Sequence, residues 1–581
     1  MDTDMMEKQN KPLLKSGPML NAYPDSIGGA LRDIVEFLQA PEIEKVFQSF
    51  YILPSIFNTD LDRGFSVIDY ELNEIYASKD ELNALKKMGI ALKLDFVLNH
   101  SSVLSKQFQD ILKNGDKSRY IDFFIDWNKF WEGCGQMTEE GYIQPDAGLI
   151  EEMFFRKTGF PILNIRMPDG REIPYWNTFY QEVKYEKIDA QDLMKVTDMQ
   201  YSVAELLAGT VNKALSEGKR PAGMEFGRYS RYKKDIVGML ESRRKYLGQM
   251  DLNIKSPLVW EFYEDTLKKL AQYGAEIIRL DAFAYAPKEP GARNFLNEPG
   301  TWDLLGRIKS IADKWGLTLL PEIHSKYEEK IHEKLAGQGY LTYDFFLPGL
   351  IIDALERNTK EFLIKWIADI LEKNIRTVNM LGCHDGIPLL DLKGLIPEEQ
   401  IDNLIKMIVD RGGYVKDLHG SKSIYYQVNA TYYSALGEDD GKLLLSRAIQ
   451  IFMPGKPQVW YLDLFAGKNA YEEVKRAGPG GHKEINRANM TLEQARKGLE
   501  KNVVLKQLSL LRFRNIFPAF GFDAKLTILG SEPQILKLCW KNNGCTATLD
   551  ADLRNYHFHI IATDENGEIV YDFDSTCPEM G

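Results

Sequence analysis

The sequence predicts a (β/α)8 barrel carrying an inserted domain and a small C-terminal β domain. Two stretches, about 1–100 and 258–520, alternate short apolar strand-like runs with amphipathic helical segments. A carboxylate follows several of those runs, where barrel enzymes keep their active sites. From about Leu526 the pattern changes to strand-period alternation. At 581 residues the chain exceeds one compact core, so satellites around a large domain are expected.

The elements follow in order. Met19 to Tyr23 reads as a first strand, then Ile27-Gly28-Gly29 and an amphipathic helix from Leu31. Val46 to Pro54 is a second strand, stopped by its proline. A helix from Asp80 to Met88 ends at Gly89 and leads into a buried strand, Ile90 to Leu98. The rhythm breaks over 101–257, too long for a connection between barrel elements, so this stretch reads as the inserted domain. Within it a helical block spans Ala190 to Tyr246, with Leu206, Leu207, Val211, Ala214 and Leu215 as its apolar face. Regularity returns with a helix from Trp260 to Tyr273. The strands Glu276 to Leu280, Leu317 to Ile323, Tyr340 to Leu347, Thr377 to Leu381 and Ile449 to Tyr461 bring the total to eight. Residues 521–581, with Ile535 to Trp540 and Tyr556 to Ile561 alternating, form the β domain.

Composition narrows the function classes. Net charge is −12 with no basic block, which argues against a nucleic-acid partner. No run approaches the roughly 18 apolar residues of a membrane span, and the polar stretch Met1 to Lys15 has no hydrophobic segment behind it. The cytoplasm is the expected compartment. Cys134, Cys383, Cys539, Cys545 and Cys577 lack the spacing of a disulfide framework or zinc site and read as reduced thiols. The strands carry neither a dinucleotide fingerprint nor a P-loop, and the chemistry below calls for no metal and no cofactor.

That chemistry lies in Arg279-Leu280-Asp281, Pro321-Glu322-Ile323-His324 and Cys383-His384-Asp385, about 40 and 60 residues apart, or one to two βα units. A single Asp after a strand caps the next helix as readily as it catalyses. Caps need no Arg or His partner, however, and here the pairing recurs three times. Residues i and i+2 share a strand face, so Arg279 can hold Asp281, and His324 lies on the face of Glu322. Asp95 stands near the end of the third strand and His100 just beyond it. Three ringed carboxyls are what glycosidic bond cleavage asks for: a nucleophile, a proton donor and a charge stabiliser.

Asp95-Phe-Val-Leu-Asn-His100, Gly274 to Tyr285, Pro321 to His324 and His384-Asp385 resemble the four short regions of the α-amylase superfamily (glycoside hydrolase family 13). Gln249-Met-Asp-Leu-Asn253 is similar to its fifth region. Gln427-Val-Asn-Ala-Thr-Tyr-Tyr-Ser-Ala-Leu436, Ala448 to Val459 and Glu484-Ile-Asn-Arg487 narrow the resemblance to the sucrose phosphorylase group. It runs from about Met19 to Phe517, apart from much of the insert.

The resemblance implies Asp281 as nucleophile, Glu322 as general acid/base and Asp385 as transition-state stabiliser. It places Asp62, Phe65, His100, Gln249, Arg279, Tyr285, His324, His384 and Arg487 around the substrate. Arg156, Lys157, Tyr426 and Gln427 fall on the acceptor side. Two carboxyls about 5–5.5 Å apart are needed for a retaining double displacement, and an apolar setting is expected to raise the Glu322 pKa. The implied partners are a small α-glucoside and inorganic phosphate, with sucrose as first donor and α-glucose 1-phosphate and fructose as products. A homodimer is left open.

The chain also departs from the group. Ile424 stands where sucrose phosphorylases commonly carry Asp, and the 190–246 block has no counterpart in shorter relatives. Phosphorylases of sucrose 6′-phosphate, glucosylglycerol and glucosylglycerate remain alternatives, although Tyr426 stands where the sugar-phosphate enzymes tend to offer His. A retaining α-glucosidase or transglucosidase would use the same carboxylates without needing phosphate. A catalytically dead carbohydrate-binding relative is disfavoured because all three carboxylates are intact.

Overall fold

The structure is a computed structural model describing residues 14–156, 159–415, 427–478 and 480–577. Eight parallel strands form the central sheet: β1 (Met19–Ala22), β2 (Ser49–Ile52), β3 (Ala91–Val97), β4 (Ala275–Asp281), β5 (Thr318–Pro321), β6 (Thr342–Asp344), β7 (Thr377–Met380) and β8 (Lys456–Trp460). Their order is β5-β4-β3-β2-β1-β8-β7-β6, which is sequence order wrapped into a ring. β5 and β6 stand beside each other at the closure without a ladder between them among the described residues. This is the expected (β/α)8 architecture, with strands buried along their length because helices cover the outside.

The last strand corrects the expectation. Ile449 to Phe452 belongs to the helix Asp440–Phe452, and only Lys456–Trp460 is strand. That helix is buried on every side from Leu443 onward, so its apolar run lacks the period that separates helix from strand. It is sandwiched between the barrel and the C-terminal sheet, whose Trp540 indole donates to the Phe452 carbonyl at 2.9 Å. That sheet has five antiparallel strands between Lys525 and Asp574.

Between β3 and β4, strands Gln181–Tyr185 and Arg244–Asp251 pair antiparallel, Tyr185 facing Arg244. The helical block therefore hangs from the tip of a hairpin. Its helices Ala190–Val196, Tyr201–Ser216 and Lys233–Ser242 close on a core of their own, including Leu193, Leu207, Val211, Ile236 and Leu240. Two details differ from expectation. Arg244 to Tyr246 are strand, not helix, and Leu206 is 58% exposed, not on the buried face. Leu206 and Leu207 are adjacent and so point about 100° apart, and the packing selected Leu207.

Candidate active site

Register builds the centre of the site. Arg279 on β4 stands opposite Asp95 on β3, and the side chains of Arg279 and Asp281 emerge on one face two residues apart. The Arg279 Nη1 donates to Asp95 Oδ1 at 2.5 Å and to Asp281 Oδ1 at 2.9 Å, while Nη2 reaches Glu322 Oε1 at 2.5 Å. The Tyr51 hydroxyl donates to the same Asp95 Oδ1 at 3.0 Å. One guanidinium thus holds three carboxylates. Asp95 is sealed, whereas the side chains of Asp281 and Glu322 keep 12% and 14% exposure and remain open to a ligand.

Asp385 arrives from the turn after β7. Asn486 binds the Cys383 carbonyl at 2.5 Å, Arg487 Nε the His384 carbonyl at 2.8 Å, and Asn429 the Asp385 carbonyl at 2.7 Å. Gly386 sits at φ +111° in the same turn, where a Cβ would meet the Val428 carbonyl at 2.5 Å. The Asp385 carboxylate lies beside two cations, Lys483 Nζ at 2.5 Å and Arg487 Nη2 at 3.5 Å, with the His384 ring Nε2 at 3.2 Å from its second oxygen.

The charge distribution follows from these contacts. Burial opposes ionisation of Asp385, but His384, Lys483 and Arg487 outweigh it and hold the group well below the usual aspartate range. Burial pushes Asp281 well up against the pull of Arg279, and neighbouring Glu322, Asp95 and Asp385 push the same way. Glu322 corrects the expectation of an apolar, raised group. Burial would raise it, but Arg279 and His324 pull it below the usual value. The sequence could not show that Arg279 reaches across to β5.

The remaining predicted residues fall into two groups. Phe65 lies flat against the His384 ring (centroids 5.1 Å, 15° between planes), and its carbonyl accepts from His100 Nε2 at 2.9 Å and Gln249 Nε2 at 3.1 Å. Asp62 faces Arg487 at 3.9 Å. These surround the Asp281 and Asp385 side. On the other side Arg156 donates to the Tyr285 hydroxyl at 3.0 Å, and Gln427 meets His324 Nε2 at 3.3 Å. His324 Nε2 stands 3.8 Å from Glu322, and its Nδ1 lies 3.3 Å from Asp391, which, with Glu322, keeps the imidazole pKa up against burial. Lys157 and Tyr426 lie outside the described residues.

Sequence reasoning missed several neighbours. Phe179 packs between His100 (4.9 Å) and Tyr285 (5.3 Å) with Arg156 over its ring at 5.0 Å, joining the two groups. Lys483 stands one residue before the Glu484–Arg487 motif and carried no signal of its own. Lys93, one strand repeat below Asp95, is fully buried, donates to Gln458 at 2.6 Å and to the Tyr343 hydroxyl, and lies 3.8 Å over the Tyr51 ring. A charged residue in the middle of an apolar strand was its only signal.

No family model matches the chain. A sucrose 6(F)-phosphate phosphorylase of Ilumatobacter coccineus is 49% identical over 559 residues, 95% of this chain and 96% of that protein. A sucrose phosphorylase of Streptococcus mutans is 31% identical over 519 residues, 88% of this chain and 89% of that one. The crystal structure of sucrose 6F-phosphate phosphorylase from Thermoanaerobacter thermosaccharolyticum matches with a TM-score of 0.78 at 33% identity, covering 97% of this chain and 98% of that one. With nearly the whole length aligned to these enzymes, and with carboxylates ringed at its strand ends, the chain belongs to the sucrose phosphorylase group of the α-amylase superfamily.

Proposed function

We propose that this enzyme phosphorolyses sucrose 6F-phosphate with net retention, giving α-glucose 1-phosphate and fructose 6-phosphate through a glucosyl-enzyme. Asp281 attacks the anomeric carbon as Glu322 protonates the departing fructosyl oxygen. A phosphate oxygen then displaces Asp281 from the same carbon, and Glu322 takes up its proton. Asp385, held ionised by its cations, binds the sugar hydroxyls while positive charge builds at the anomeric carbon.

The observation that carries the reaction is Arg279 joined to both Asp281 and Glu322. Asp281 is pushed up and Glu322 pulled down, the reverse of the attacking state, so the one proton the pair holds has to pass from Asp281 to Glu322 as the donor binds. The phosphorylated donor is supported by the 49% identical Ilumatobacter coccineus enzyme. Arg156 is a fixed cation on the acceptor side, suited to a phosphate-bearing fructosyl unit and to inorganic phosphate. Unphosphorylated sucrose, the donor expected from the sequence, is the second reading, favoured by Tyr426 in place of His and by the 31% identical Streptococcus mutans enzyme.

The test is release of α-glucose 1-phosphate and of free glucose from each donor, with and without inorganic phosphate. Phosphate-dependent α-glucose 1-phosphate, faster from sucrose 6F-phosphate, supports the proposal. Faster release from sucrose would select the second reading. Free glucose regardless of phosphate would mean a hydrolase.

A further inference from the structure

Beside the catalytic carboxyls, a turn holds an arginine that neither the motifs nor the proposed chemistry uses. Asp62 and Arg63 both adopt left-handed backbone (φ +49° and +50°), and Gly64 follows at +119°. Left-handed conformation at successive non-glycine residues is costly and persists only where surroundings over-determine it. Gly64 is pinned from one side: a Cβ there would lie 2.3 Å from the Ser55 amide nitrogen. From the other side the Arg63 guanidinium does the holding. Nη1 donates to the Arg487 carbonyl at 2.6 Å, Nη2 to the Asn489 side chain, and the group pairs with Asp25 at 3.3 Å and Glu484 at 3.4 Å. Its Cζ lies 4.4 Å from the Tyr23 ring centroid.

The two segments that Arg63 joins are the ones that form the glucosyl pocket. The turn presents Asp62 and Phe65. The facing segment presents Arg487, whose side chain reaches Asp385 and Asp62. Glu484 accepts from both arginines, at 3.4 Å in each case, so a shift of Arg63 is passed to Arg487. We propose that Arg63 is a positioning residue for glucosyl transfer: its guanidinium clamps the strained Asp62–Phe65 turn to the Glu484–Asn489 segment and so sets Asp62 and Arg487 around the sugar. Arg63 acts through these residues and does not itself touch the reacting atoms. The inference rests on reading this side of the site as the glucosyl pocket.

The experiment is isotope exchange between labelled inorganic phosphate and α-glucose 1-phosphate, which needs the glucosyl side and phosphate but no acceptor sugar. Wild type, Arg63→Ala and Arg63→Lys are compared, each with a thermal melt. Positioning predicts that Arg63→Ala stays folded at the assay temperature yet exchanges about 100-fold more slowly, the scale of an ångström-sized misplacement. Added guanidinium ion should restore part of that rate. Arg63→Lys should recover little, because an ammonium cannot span the carbonyl and the asparagine as a planar fork does. Wild-type exchange by Arg63→Ala would overturn the proposal. So would a loss that tracks unfolded fraction and is not restored by guanidinium. Absence of exchange in the wild type would instead overturn the phosphorylase reading beneath it.

Discussion

The guanidinium of Arg279 stands 2.5 Å from the carboxylate of Glu322, a residue on the neighbouring strand end, while still bonded to Asp281. That shared cation shapes the pH dependence. The proposed mechanism needs one proton on the Asp281–Glu322 pair. Activity is lost when the pair gains a second proton and when it loses the first. The lower step lies below the usual glutamate value of 4.5, because Arg279 and His324 outweigh burial at Glu322. The upper step lies well above the carboxylate range, because burial dominates at Asp281. The kcat/KM profile should therefore be a broad bell flat through neutrality, and an acid limb near pH 6 would contradict it.

Asp281→Asn should abolish donor turnover and also stabilise the fold. A carboxyl whose folded pKa is raised binds its proton more tightly when folded, so its stability contribution is lost as pH rises through the folded value. At pH 7 a neutral amide removes that cost, so Tm should rise. Below the unfolded aspartate pKa of about 3.9 the gain should vanish, since both states are protonated there. Melts at pH 7 and at the lowest pH the fold tolerates would check both halves.

Glu322→Gln should slow cleavage of a natural donor about 10²–10⁴-fold, the range for a lost general acid. An activated donor such as α-glucosyl fluoride, whose leaving group needs no proton, should lose far less. Equal losses on both would remove Glu322 from the acid role.

Lys288 binds Asp251 at 2.7 Å, Asn99 Oδ1 at 3.0 Å and the Tyr285 carbonyl at 2.5 Å, and both charged side chains are sealed from solvent. Asp251 in turn accepts from the Thr178 amide at 2.9 Å, tying the segments after β3 and β4 to the inserted region. Lys288→Met removes the ammonium from beside the buried Asp251 side chain, at a cost of about 3–5 kcal/mol. A drop in Tm of only a degree would show the ammonium to be dispensable.

Replacing the helical block by a two-residue turn between Tyr185 and Arg244 should leave phosphate exchange with α-glucose 1-phosphate within about threefold, since the hairpin ends already pair and the block keeps a separate core. Loss of exchange in a folded variant would give the block a catalytic role.

Sequence by itself determined the barrel and the carboxylates. Each strand is a short run whose apolar character survives in any register, and the carboxylates are legible because Asp281 and Glu322 follow such runs directly and Asp385 stands in the turn just beyond one. The Asp440–Phe452 helix was misread as strand because burial on all sides erases periodicity. Relationships across strands were decided only by tertiary structure. That Arg279 serves Asp95 and Glu322 as well as Asp281 depends on the register of β3, β4 and β5, which places residues nearly 200 positions apart side by side. The same closure reversed the expected pKa direction of Glu322 and brought Lys483 and Arg487 onto Asp385. Electrostatic energy follows distance in space, and only the closed barrel sets those distances.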